Sequence, residues 1–148
     1  MIRKIVPDVI KDQTLVCISP ADTARAAARI MTERKVAAVL VMENERLVGI
    51  ITERDMTSRI IAADRNPDTT KCREIMTANP DTLSPDDNAV DAINMMRSRN
   101  YRHLPVVSGM KVVGMVSVRD LYAVYNTELV QDLRDRDAFI YGENYGTA

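Results

Sequence analysis

The sequence has no tryptophan and a single phenylalanine, and aromatics make up 4% of its 148 residues. Any core built from this chain is therefore aliphatic, with nine methionines as adaptable filler. Cysteine is scarce too. Cys17 and Cys72 are too few and too far apart for a disulfide framework or a metal knuckle. His103 is the only histidine, with no second metal ligand near it in sequence, so no metal site is expected. No apolar run approaches the roughly 18 residues that a membrane span needs. The N-terminal run Met1–Asp8 lacks the apolar centre of a secretory signal, and a cytoplasmic location is expected. Neither sign of charge dominates: 20 basic residues stand against 21 acidic ones, a net charge of −1. That balance argues against a broad footprint for nucleic acid or an anionic membrane. Phosphate-loop, Ser–His–Asp and Cys–His spacings are all missing, and no carboxylate pair marks a substrate cleft, so no catalytic residues and no enzyme are expected.

What the chain does have is repetition, the feature to seek first. Gly49-Ile50-Ile51-Thr52-Glu53-Arg54-Asp55 returns as Gly114-Met115-Val116-Ser117-Val118-Arg119-Asp120, 65 residues later. Each copy reads as an apolar strand entering a helix, with a hydroxyl at the junction and a carboxylate three residues on. Such a junction offers free backbone N–H groups and the positive end of a helix dipole, which suits a phosphate. The same offset relates Ser19 to Ser84, Pro20 to Pro85, Ala24 to Ala89, Ala27 to Ala92 and Met31 to Met96.

Read in order, residues 1–13 are a lead-in with weak periodicity. Thr14–Ile18 is a short strand. Ser19-Pro20-Ala21-Asp22 reads as a helix start with Ser as cap, and Ser84-Pro85-Asp86-Asp87 repeats it. Ala24, Ala27, Ala28 and Met31 form one apolar stripe, matched by Ala89, Ala92, Ile93 and Met96. Val36–Met42 is a run fit for a strand buried on both faces, and a polar turn joins it to an antiparallel strand at Leu47–Ile51. Leu104–Val107 and Val112–Val116 repeat that hairpin. The expected fold class is α+β: two β-α-β-β-α repeats, 7–63 and 74–130, packed sheet to sheet about a pseudo-two-fold axis with one core. Residues 64–73 read as a polar linker. The last helix is expected to end near Arg136, within a terminal segment 131–148 whose Phe139, Tyr141 and Tyr145 either pack back or reach a partner. Cys17 reads as buried in its strand, and Cys72 as exposed in the linker.

The repeated motif, together with Tyr101-Arg102-His103-Leu104-Pro105-Val106-Val107 and the Ser-Pro pairs, resembles the CBS domain, named after cystathionine beta-synthase. Two in tandem resemble a Bateman module, and the resemblance covers about residues 7–126. It implies a non-catalytic regulatory module that binds adenine nucleotides between its repeats: AMP first, with ADP, ATP, NAD or S-adenosylmethionine as the other ligands. It implies no catalytic cofactor, a homodimer, and a separate effector protein. In the family the hydroxyl contacts phosphate and the Asp holds the ribose. Carried over, Thr52 and Asp55 anchor one nucleotide, with Ile50, Arg54, Tyr101, Arg102 and His103 around it and the last two facing phosphate. Ser117 and Asp120 anchor a second, with Met115, Arg119, Lys35, Val36, Ala37 and Ala38 around it.

Plainer readings stand beside these. Thr52-x-x-Asp55 and Ser117-x-x-Asp120 also fit a capping box, with Asp in place of the usual Glu or Gln. His103 taken alone is a structural histidine, and Arg102 a solvated strand-edge residue. A dimerising scaffold with vestigial pockets and a nucleic-acid binder are the rival functions.

Overall fold

A computed structural model describes residues 2–146; the side chains at 128, 130 and 137–146 lie outside that description. The 65-residue offset holds element by element. In the first repeat, β1 (Cys17–Ile18) is followed by α1 (Ala24–Arg34), β2 (Ala38–Glu43) and β3 (Arg46–Thr52). Then comes α2 (Glu53–Asp55), which runs unbroken into a wider-wound turn at Met56–Ile61. A short helix α3 (Cys72–Ile75) and strand β4 (Thr77–Ala78) lead into the second repeat. That repeat has α4 (Ala89–Arg99), β5 (His103–Ser108), β6 (Lys111–Ser117) and α5 (Val118–Gly146).

Both hairpins are antiparallel and carry a register shift at the same place, between Val41 and Met42 and between Val106 and Val107. β1 pairs with β2 in parallel, across the helical crossover. Its counterpart in the second repeat is a single parallel bridge, Leu83 to Val106. The first sheet runs β1-β2-β3-β4.

The Ser-Pro starts are a turn, not a cap. The backbone N–H of Ser19 donates to the Asp22 carboxylate at 3.0 Å, and that of Asp22 to the Ser19 carbonyl at 3.1 Å. The helices begin after Thr23, whose hydroxyl accepts from the N–H of Ala26, and after Asn88, whose side chain accepts from that of Val90. Ser-Pro-x-Asp supports either structure locally; four more residues decide which one forms. Both helices close with a left-handed residue, Lys35 at φ 54° and Asn100 at φ 58°.

The apolar residues form two clusters, not the one core expected. One holds Ala24, Ala27, Met31, Val39, Val41 and Ile51; the other holds Ala89, Ala92, Met96, Leu104, Val106 and Val116. The segments ahead of each repeat cross over. Ile5 and Ile10, in and after a helical turn at Ile5–Val9, join the second repeat's cluster. Cys72, from the segment read as a linker, and Ile75, from the start of the expected second repeat, join the first's. Backbone bonds hold each crossing: Ile5 N–H to Asp87 and Ala89 N–H to Arg3 on one side, Cys72 N–H to Asp22 and Ala24 N–H to Thr70 on the other. Ile5 and Ile75 are fully buried, and burying a side chain of that size stabilises by about 1.5–3 kcal/mol.

The cysteine expectations are inverted by this crossing. Cys17 is exposed and Cys72 buried. Burial, with the Asp22 carboxylate as a smaller cause, pushes the Cys72 thiol up to about 11. The last helix also continues past Arg136 to Gly146, because nothing from Val118 to Tyr141 is Gly or Pro. The side chains of Phe139, Tyr141 and Tyr145 lie outside the described residues. Among the described residues no helix is long and apolar enough to cross a membrane.

Candidate nucleotide cavity between the repeats

The two strand-to-helix junctions are built alike. At the first, the Asp55 carboxylate (Oδ2) accepts from the Thr52 N–H at 2.8 Å and from its hydroxyl at 3.3 Å. At the second, the Asp120 carboxylate accepts from the Ser117 N–H at 2.8 Å and from its hydroxyl at 2.9 Å. The capping-box reading is therefore correct for both. It uses one oxygen of each carboxylate. The other oxygen of Asp55 lies 3.6 Å from Arg59 Nε. The other oxygen of Asp120 accepts no hydrogen bond among the described residues.

Both junctions open on one cavity of about 690 Å³ at the seam between the repeats, a size suited to a small organic ligand. From the first repeat it is lined by Thr52, Arg54, Asp55, Ile50, Lys35, Val36 and Ala37. From the second come Ser117, Arg119, Tyr101, Arg102 and His103. Three expected residues do not line it: Ala38 is packed in β2, while Met115 and Asp120 are only partly buried and lie outside its wall. Sequence reasoning missed Glu53 and Asp81, which do line it. Glu53 sits inside the motif, where its variable position gave no signal.

The grouping of these residues follows from strand register and from the seam. Register places His103 opposite Ser117 and Ala38 opposite Thr52. The Val118 N–H donates to the Arg102 carbonyl at 2.8 Å, and the Glu53 N–H to the Ala37 carbonyl at 3.0 Å. Each junction thus abuts the strand of its own repeat, so Arg102 and His103 stand beside Ser117, while the shared cavity also sets them against Glu53 and Arg54 of the first junction. Hairpin pairing within a repeat fixes this, since a strand and the one after it are nearest neighbours.

The charges are unevenly committed. Arg54 Nη1 donates across the seam to the Asn100 carbonyl at 3.1 Å. Asp81 pairs with Arg99 at 2.5 Å, and Arg99 first, then the Tyr101 hydroxyl, hold its carboxyl below the usual range. The side chains of Lys35, Arg102 and Arg119 make no hydrogen bond or ion pair among the described residues. Burial pushes the His103 ring below its ordinary value; Asp120 and Glu53 pull it up by less, and Arg102 pushes it down. Its Nδ1 is buried with no hydrogen-bond partner. No group of three His, Cys, Asp or Glu side chains among the described residues is placed to hold a metal ion.

A duplicated strand-helix-hairpin unit, crossed at its lead-ins, with a cavity at the seam, defines a tandem-repeat α+β fold. The family model described as the CBS domain matches residues 6–62 and 72–126, and the chain belongs to that family. It is 34% identical over 126 residues to the mitochondrial CBS domain-containing protein CBSX3 of Arabidopsis thaliana, covering 82% of this chain and 61% of that one. The chain thus spans about three fifths of that relative's length. Among solved structures it resembles the CBS domain NE2398, with 30% identity, a TM-score of 0.78, and 83% and 97% of the two chains covered. It also resembles the CBS domain protein PAE2072 of Pyrobaculum aerophilum, solved in complex with AMP. There the identity is 26%, the TM-score 0.70, and the coverage 76% and 86%.

Proposed function

We propose that the chain is a non-catalytic regulatory module that binds an adenine nucleotide in the seam cavity. The observation that carries this reading is the pairing of two capped junctions with three uncommitted cations, Lys35, Arg102 and Arg119, around one cavity built by both repeats. Unpaired cations beside a helix start suit a phosphate, and the apolar Val36, Ile50 and Tyr101 suit a base. The AMP complex of PAE2072 supports the ligand class. A ligand touching both repeats has the unequal affinity for two packings that a signal needs. A separate effector protein would read the shift. Thermal melts with AMP, ADP, ATP, NAD and S-adenosylmethionine test this. A true ligand at 100 times its dissociation constant adds about 2.7 kcal/mol; no shift with any of them leaves the vestigial scaffold standing. Retention of labelled DNA or RNA that falls with salt would favour the nucleic-acid reading instead.

Self-association belongs to the same proposal, and the last helix offers the face for it. The Ala and Met stripes of α1 and α4 are used inside the repeats. The free apolar stripe is on α5, where Tyr122, Leu129 and Leu133 are 60%, 58% and 51% exposed. Their spacing of seven and four residues is that of a helix-pairing seam. Light scattering that returns 16.6 kDa, the mass of one chain, would refute a homodimer.

A further inference from the structure

One guanidinium touches both sides of the first junction. Arg59 stands one turn after Asp55 on the same helical run. Its Nε lies 3.6 Å from Asp55 Oδ1, the carboxylate oxygen that the cap leaves over. Its Nη1 donates to the carbonyls of Ile75 and Met76, at 2.8 Å and 3.0 Å. Those two residues close α3 and lead directly into β4. Asp55 lines the cavity from one side; Thr77, Pro80 and Asp81, just past the two carbonyls, line it from the other. The wall at this junction is therefore complete only when residues 72–81 are docked. The duplication supplies a contrast. Val124 stands where Arg59 would recur 65 residues on, so the second junction has no such tie for Asp120.

We propose that Arg59 is a positioning residue of the cavity: by holding Asp55 and the end of α3 with one guanidinium, it makes occupancy of the cavity and docking of residues 72–78 rise and fall together. The inference rests on the nucleotide reading above for the identity of the occupant. A planar guanidinium suits the task, since it can bond carbonyls along one edge and face a carboxylate with another. A ligand that spans Asp55 and Thr77 binds the docked segment better than the undocked one. That difference in affinity shifts the balance between the two, and the coupling is reciprocal. Arg59 strengthens it, because the contact that holds Asp55 in the wall also closes α3. The signal then leaves the cavity through the segment whose Cys72 and Ile75 complete the first core.

Cys72, buried in α3, reports the docking, because its thiol reacts only when the segment opens; Cys17 is the exposed control. Its rate with an aromatic disulfide reagent is compared, without ligand, in wild type, Asp55→Asn, Arg59→Met and the double variant. Asn keeps an oxygen for the cap and loses the charge. Asp55→Asn is expected to speed Cys72 about two- to fivefold, as for a partly exposed ion pair. Arg59→Met is expected to speed it about tenfold, since two hydrogen bonds go as well. In the double variant the Asp55 change is expected to add nothing further. AMP, at about 100 times the dissociation constant of each protein, is expected to slow Cys72 at least about fivefold in wild type, and by less than half as much in Arg59→Met. A merely structural arginine would change the rate without ligand and leave the slowing by AMP intact. Arg59→Lys keeps the charge but not the fork. It is expected to fall between the two, and it replaces Arg59→Met if that variant does not fold. Additive effects in the double variant overturn the proposal, as does equal slowing by AMP in wild type and Arg59→Met. If calorimetry detects no AMP binding to wild type, the nucleotide reading fails, and the ligand-free comparison decides this proposal alone.

Discussion

Arg54 reaches across the seam to the carbonyl of Asn100, while the side chain of Arg119, its counterpart 65 residues on, makes no hydrogen bond among the described residues. The pseudo-symmetry of the backbone is thus broken by its side chains. Asn100 ends α4 in a left-handed turn that leaves its carbonyl free to accept. Lys35 ends α1 in the same way, but Arg119 stays off it. One arginine works as a tie and the side chain of the other is left without a protein partner among the described residues.

Replacing the two arginines should therefore separate stability from binding. Arg54→Ala is expected to lower stability by up to about 1 kcal/mol, the net worth of one partly exposed hydrogen bond. Arg119→Ala is expected to change stability by less than about 0.5 kcal/mol, as for other surface substitutions. It should weaken ATP binding more than Arg54→Ala does. Urea unfolding and calorimetry read the two effects; the reverse order would refute the division.

The two capping carboxylates should differ in the same way. Asp55→Ala and Asp120→Ala each remove a cap, expected to cost about 1 kcal/mol. Only Asp55 lines the cavity, so AMP affinity is expected to fall further in Asp55→Ala. Equal losses in calorimetry would place Asp120 at a ligand after all.

Gly49 makes room for the crossing segment. A Cβ there would strike Met76 Sδ and stand 3.0 Å from the Thr77 carbonyl. The sulfur end can swing away, but the carbonyl belongs to β4, which pairs with Gly49 and Ile50. Gly49→Ala is expected to destabilise by about 1–3 kcal/mol. An unchanged urea midpoint would show that β4 gives way freely.

The pH dependence of stability carries a definite sign without ligand. The folded His103 ring has a lowered pKa. As pH falls through about 6.5, the unfolded chain binds a proton that the folded chain refuses. Stability is therefore complete above that pH and declines below it, down to the folded value. Unfolding at pH 7 and 5.5 should show the decline, and His103→Asn should reduce it. A stability that rises on acidification would reverse the assignment.

The thiols give a readout of the crossed lead-ins. Cys17 is expected to react with an aromatic disulfide reagent in the native protein. Cys72, buried and pushed up to about 11, is expected to react only as the chain opens. Two equally fast thiols would mean that residues 72–75 are not docked.

The duplication was legible in the sequence because Gly49, Arg54 and Asp55 recur at one spacing, and the helices and hairpins followed from it. The crossing was not legible. Ile5 and Ile10 are short apolar signals that fit either repeat, and only distance through space assigns them. Thr23 lost to Ser19 as the expected cap because both satisfy the same local rule. The site residues were legible as types, and 12 of the 15 expected line the cavity. That both junctions share one cavity was not legible, because the packing of the two repeats at the seam is set by distance through space and not by the motif.

Since Ile5 and Ile10 complete the second core while Cys72 and Ile75 complete the first, neither half is self-sufficient. A cut between residues 62 and 70 would leave two fragments that each lack a piece of the other. Such fragments should regain structure only when mixed. The same interlock gives two whole molecules a way to trade segments, and it binds the fates of the twin copies: melting one strips the other of its lid.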